Sequence, residues 1–213
     1  MAQGNPRRYD ASRRQAAALA TRRRILAEAR HLFIESGYEA TTVAAIAAAA
    51  AVAPDTVYAT VGRKPVLFRL LIESAISGTD AAVPALERNY VRRVRASTVA
   101  QEKLDLYAHA VTAVQERLAP LFLVLREAAP AHPELAQLWQ EIGERRAQNM
   151  RMFAAEVAAT GTLRAGVDVE EVADAVWAMN SAELYSLFVL ERGWPPSRFA
   201  TWLSAAWQRM FLG

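Results

Sequence analysis

The densest grouping of chemistry-bearing side chains in this sequence holds nothing that breaks bonds. It is VAPDTVYATVGRK, residues Val52 to Lys64, which follows a run of five alanines. Thr56, Val57, Tyr58, Ala59 and Thr60 fall on one short stretch between Pro54 and Gly62, and Lys64 stands just beyond. Threonine hydroxyls both donate and accept, while valine and alanine methyls suit a thymine methyl, so such a stretch reads base edges in a major groove about 12 Å wide. The Tyr58 hydroxyl and the Lys64 ammonium suit the phosphates on either side, which position without specifying. Thr42, upstream, offers a helix N-cap hydroxyl within reach of a phosphate across the groove. Taken singly, the bland readings stand: Thr56 and Thr60 fit a solvated helix face, and Tyr58 fits a cover over a helix joint. The combination favours DNA.

The pattern predicts helices to position these groups. Ile25, Leu26, Ala29, Leu32 and Phe33 recur at three- and four-residue spacing, a core-facing stripe that closes at Ser36-Gly37. A second helix is expected from Val43 to about Ala50. A third, from Pro54 to Val61, has proline in its first turn and Asp55 at its positive end. A fourth opens at Lys64-Pro65. Two helices, a brief turn and a proline restart have the spacing of a helix-turn-helix.

Beyond Gly78 the sequence still reads helical: about Val99–Leu118, Pro120–Ala129, Pro133–Thr160, Asp168–Arg192 and Pro196–Leu212, with Ala81–Arg95 open between helix extension and loop. The fold class expected is all-α, an N-terminal three-helix helix-turn-helix domain and a C-terminal helical bundle. The boundaries expected are a flexible basic arm over 1–18, the DNA-binding domain over 19–64, and a ligand-binding and dimerisation domain over 65–213. Charge divides in the same way. Residues 1–70 hold 11 Lys/Arg and 5 Asp/Glu (+6), and residues 71–213 hold 14 and 17 (−3). Only the first segment attracts a polyanion. Arg7, Arg8, Arg13 and Arg14 fit minor-groove or phosphate contacts and equally fit a soluble tail.

Thr21–Leu71 resembles the DNA-binding domain of TetR-family (tetracycline-repressor-like) transcriptional regulators. The resemblance rests on TRRRILAEARHLFIESGYEATTVAAIA, VAPDTVY and KPVL, with Phe33, Gly37, Tyr38, Thr41, Thr42, Ile46, Ala47, Val52, Tyr58 and Lys64 at the family's spacing. Two positions depart from it. Ala51 stands where the family has a turn glycine, so the turn forms without a φ > 0 residue or with strain, and Val61 replaces a phenylalanine. Leu163–Trp194 is similar, less specifically, to the dimerising region of some members. The resemblance implies a homodimer on palindromic operator DNA, a repressor by default, released by a small-molecule effector, cytoplasmic and nucleoid-associated.

A short helix reads few base pairs, which also argues for two copies. Trp177, Asn180, Leu184, Leu187 and Phe188 form one stripe, and Phe199, Trp202, Leu203, Ala206 and Met210 another. The interface expected uses Trp177, Asn180, Leu184, Phe188, Trp202 and Ala206, although both stripes also fit a core. Mixed aromatic and polar groups, namely Tyr107, His109, Arg126, Trp139 and Tyr185, are the candidates for an effector pocket. No cofactor or metal is expected: there is no cysteine, and the three histidines lack metal spacing. Enzyme motifs such as HExxH, GxSxG, GxGxxG and a Gly-Lys phosphate loop do not occur. The longest apolar run, Val43–Ala53, is too short to span a bilayer, and no apolar face opposes the arginines of the arm, so no membrane partner is expected.

Overall fold

The computed structural model describes residues 6–79 and 83–213, with side chains from Arg13 onward. Residues 1–5 and 80–82 and the side chains of Arg7 and Arg8 lie outside it, and with them part of the expectations for the arm and for Ala81–Arg95. The described residues form ten α-helices: α1 Pro6–Ala40, α2 Val43–Ala49, α3 Pro54–Val61, α4 Lys64–Ser77, α5 Asn89–Ala96, α6 Ala100–Ala128, α7 Pro133–Ala158, α8 Val169–Met179, α9 Ala182–Tyr185 and α10 Pro196–Phe211. Among them there is no strand, only an isolated antiparallel bridge between Leu163 and Leu212. The chain is all-α, as its periodicity implies. No single described helix is long and apolar enough to cross a membrane. Two compact units part between Leu71 and Ile72, inside α4, and not at the start of that helix where the sequence placed the boundary.

In the first unit, residues 6–18 are helical backbone continuous with α1, where the sequence suggested a separate arm. The stripe of Ile25, Ala29 and Phe33 is fully buried. Gly37 (φ 77, ψ 176) breaks the helical path, and the Thr41 hydroxyl, buried beneath it, contacts the Leu32 and Gly37 carbonyls at 3.0 and 2.7 Å. The turn brings Tyr38 back onto the core. Its ring stacks on Phe33 (5.6 Å between centroids), and Phe68 from α4 meets both edge-on at 4.8 and 5.3 Å.

The α2–α3 turn takes the strained alternative that the sequence left open. Val52 N–H bonds to the Ala47 carbonyl (3.0 Å) and Ala51 N–H to the Ala48 carbonyl (3.1 Å), a Schellman closure whose pivot needs a left-handed residue. That pivot is Ala51, at φ 51. Left-handed alanine costs about 1–2 kcal/mol, and glycine's extra freedom in the unfolded chain offsets about 0.5–1 of that. Ala51→Gly is therefore expected to raise the stability of this unit by about 0.5 kcal/mol. A lowered denaturation midpoint would show that the turn is not strained.

The second unit is built on α6, along which α10 packs, while α7 packs along α8. Its core includes Leu104, Leu121, Leu125, Phe199, Trp207 and Phe211. Two expected breaks differ from the structure. Pro120 lies inside α6 and does not end it. Interior proline costs about 3 kcal/mol, but α6 buries residues on both sides of it, Leu118 and Ala119 before and Leu121, Phe122 and Leu125 after. Their burial outweighs the lost hydrogen bond. Conversely, the single helix expected over Asp168–Arg192 divides at Asn180-Ser181. Ser181 caps α9, its hydroxyl accepting from Leu184 N–H at 3.2 Å. From Ser186 to Glu191 the chain widens into a π-helical turn, with Arg192 N–H reaching the Leu187 carbonyl at 3.1 Å.

Candidate nucleic-acid interface and ligand cavity

Helices α2 and α3 meet at a bend of 102°, within the range of a helix-turn-helix. Three local signals fix α3: Pro54 in its first turn, Asp55 at its N-terminal end, and Gly62 (φ 82, ψ −164) after Val61. A Cβ at Gly62 would lie 3.2 Å from Val66 Cγ1 in a backbone region open essentially to glycine alone. Two arginines of α1 hold the motif by its carbonyls. Arg24 Nε donates to the Ala50 carbonyl (2.7 Å) and an Arg22 amine to the Thr60 carbonyl (3.0 Å), tying both helix ends to the scaffold.

On this scaffold Tyr58 is half exposed, Ala59 is exposed, and Thr56 and Thr60 are partly exposed. Val57 is not available to a thymine methyl. It is fully buried, with Val61 one turn on, because this pair seats α3 against its own unit. Thr42 caps α2, its oxygen accepting from Ala45 N–H at 3.0 Å, and the residue remains exposed. Lys64 lies with its ammonium 4.1 Å over the Tyr38 ring and 3.5 Å from the Glu39 carbonyl. Partial burial holds its pKa below the ordinary lysine value, with Glu39 opposing the shift.

The second unit carries a partly open cavity of about 570 Å³, within the usual range for small-molecule sites. Its wall mixes Val111, Leu118, Ile142 and Phe153 with Tyr107, Gln115, Arg146 and Asn180. Of the five pocket residues expected from sequence, only Tyr107 lines it. Its buried ring lies 4.5 Å from Phe153 and 5.8 Å from Trp207, its hydroxyl accepts from Asn180 Nδ2 at 2.9 Å, and burial pushes its pKa well above the usual tyrosine value. His109 is exposed, 2.9 Å from the Asp105 carbonyl, at a shallow surface depression. Arg126 is exposed and paired with Glu183 at 3.2 Å. Trp139 stacks on Phe122, and buried Tyr185 meets Phe199 edge-on. These four do not line the cavity.

Asn180, expected at a dimer interface, is 2% exposed and belongs to the cavity wall. The helix breaks at this residue, which turns the side chain inward onto Tyr107 and Met150 and away from the stripe it was read with. Ala206 is also buried, while Leu184, Phe188 and Trp202 are half-buried. The rings of Phe188, Trp194 and Trp202 gather within 4.6–6.2 Å of one another. Trp177, Leu187 and Leu190 are exposed. Gln115 and Arg146 were missed. The one legible signal was Gln115 falling in the apolar stripe that Tyr107, Val111 and Leu118 trace along α6.

The described residues thus carry a helix-turn-helix in the first unit and a ligand-sized cavity in the helical second unit. The N-terminal unit carries the sequence of one family: the family model described as bacterial regulatory proteins, tetR family, matches residues 25–68. Among curated proteins no sequence match is found. Among solved structures the chain is similar to NalD, the secondary repressor of the MexAB-OprM multidrug efflux pump in Pseudomonas aeruginosa (TM-score 0.69, 21% identity, 92% of this chain and 98% of that one). It is also similar to the fatty acid degradation regulator FadR from Bacillus halodurans (0.71, 18%, 88% and 94%). A third similar structure is the ketosteroid transcriptional regulator KstR2 of Mycobacterium tuberculosis (0.62, 16%, 90% and 95%). At these identities the likeness is one of fold.

Proposed function

We propose that this protein is a ligand-responsive transcriptional repressor. It binds palindromic operator DNA as a homodimer through α3 and is released by a small-molecule effector held in the cavity of the second unit. The observation that carries the reading is the division of α3 into two faces. Val57 and Val61 anchor it, and Thr56, Tyr58, Ala59 and Thr60 remain outward, with Thr42 and Lys64 alongside to take phosphates. The dimer uses the exposed apolar residues near the second unit's end, Trp177, Leu187 and Leu190, with the flanking Leu184, Phe188 and Trp202. Three large apolar side chains left exposed within residues 177–190 favour a partner. An effector that favours one spacing of the two α3 copies shifts operator affinity by its preference between states, typically about 1–3 kcal/mol. A protein of this kind works in the cytoplasm, at the nucleoid.

The test is fluorescence anisotropy on duplexes from the DNA flanking the protein's own gene. Saturable binding of two chains per site, stronger than to shuffled sequence, is expected. Equal affinity for every duplex, or one chain per site, would refute the repressor reading.

A further inference from the structure

Three side chains that line the cavity each carry a polar atom with no hydrogen-bond partner among the described residues: Gln115 Oε1, Asn180 Oδ1 and Arg146 Nε. Buried groups of this kind are ordinarily satisfied, because leaving one unpaired costs about 1–3 kcal/mol. Asn180 Nδ2 is otherwise turned to the Tyr107 hydroxyl and Met150 Sδ, while the other two side chains reach backbone carbonyls at the end of α8. An Arg146 amine donates to the Trp177 carbonyl (2.6 Å), and Gln115 Nε2 donates to the Asn180 carbonyl. These carbonyls are among the last of a helix and lack partners within it. The unsatisfied atoms therefore gather where the wall is held to the α8–α9 break.

The charges around the cavity do not balance. Glu73 is taken by Arg145 at 2.7 Å, and Glu156 by Arg95 at 2.9 Å with Lys103 at 3.7 Å. Arg88 donates to the Val83 carbonyl. No carboxylate among the described residues stands within salt-bridge distance of Arg146; Glu183, the acidic group that acts on it from further off, is held by Arg126. The Arg146 guanidinium lies 4.7 Å from the Trp177 ring, and desolvation lowers its pKa from the usual arginine value. A largely desolvated cation without a counter-ion is costly, and a bound anion relieves it.

We propose that the cavity takes a small organic anion. Its apolar body rests among Val111, Leu118, Ile142 and Phe153, its carboxylate-type group pairs with Arg146, and a hydrogen-bond donor on it serves the Asn180 and Gln115 amide oxygens. The inference rests on reading the cavity as the effector site, and the experiment separates the two.

Calorimetric titration of the full chain without DNA compares three probes of one skeleton: 4-phenylbutyrate, 4-phenylbutylamine and 4-phenylbutanol. A charge-assisted pair with Arg146 makes 4-phenylbutyrate bind at least about tenfold tighter than either of the others. A hydroxyl on the chain carbon next to its carboxylate tightens binding further. Arg146→Gln levels the three, and Arg146→Lys, with melting curves as the check on folding, keeps the preference for the acid. Absence of 4-phenylbutyrate binding, equal binding of all three probes, or tighter binding of the amine overturns the proposal, and each reads out on the unmutated chain should Arg146→Gln not fold. The same probe added to the protein–DNA complex tests the effector reading alone. Binding of 4-phenylbutyrate without DNA release leaves the ligand class standing and removes the effector role.

Discussion

Replacing Tyr58 and Lys64 together by alanine is expected to weaken DNA binding about a hundredfold or more, and by a similar factor on operator and on random duplex. Each removed hydrogen bond to a phosphate contributes about 1.5–3 kcal/mol, and a dimer carries every contact twice. Two lysines also leave the interface, so the slope of log affinity against log salt is expected to fall by about 2. Thr56→Ala and Thr60→Ala act differently, relaxing preference at particular base pairs by about 1 kcal/mol or more while leaving that slope in place. Anisotropy titrations across a salt series separate the two outcomes. A double variant with unchanged slope would remove Lys64 from the phosphate contacts. The prediction depends on Tyr58 being half exposed on an anchored helix, and Tyr58→Ala is expected to leave stability close to that of the parent.

Phe68→Ala is expected to carry the largest stability effect in the first unit, about 3–5 kcal/mol. The ring is fully buried and meets Phe33 and Tyr38 edge-on, so truncation opens a cavity and removes two aromatic contacts. Whole domains have only about 5–15 kcal/mol in hand, so the unit approaches its unfolding threshold. All five tryptophans, at 139, 177, 194, 202 and 207, lie in the second unit. Their fluorescence is therefore expected to keep the parental denaturation midpoint while helical circular dichroism begins to fall at lower denaturant, with DNA binding lost alongside it. A joint shift of both signals would show that the two units unfold as one.

The sequence made α3 legible to the residue because its boundaries are local: Pro54 starts it, and Gly62 takes a conformation closed to other residues. The direction Val57 faces was legible too, in its four-residue spacing from Val61, but the methyl group was first read for what it can touch on DNA. What could not be read depends on distant packing. Pro120 is a local signal to stop, and only the burial of both halves of α6 overrides it. Asn180 completed a plausible outer stripe as long as the helix was taken as unbroken; the serine that caps a new helix at 181 was the available warning. Arg146 sits among charged neighbours on a long helix, Glu144 and Arg145 beside it, and nothing in that pattern separates it from Arg145, which also lines the cavity but pairs with Glu73.

The widened turn at Ser186–Glu191 bears on how this chain can change length. Such a turn holds one residue more than an α-helical path between the same ends. Removing one residue from it would let the segment rewind into ordinary helix between unchanged ends, so the chain from Arg192 onward would keep its place and Trp194 its contact with Trp202. The same loss from a regular α-helix would turn everything downstream by about 100° about the axis. The stretch is therefore slack in the chain, able to give up a codon where the helices before and after it cannot.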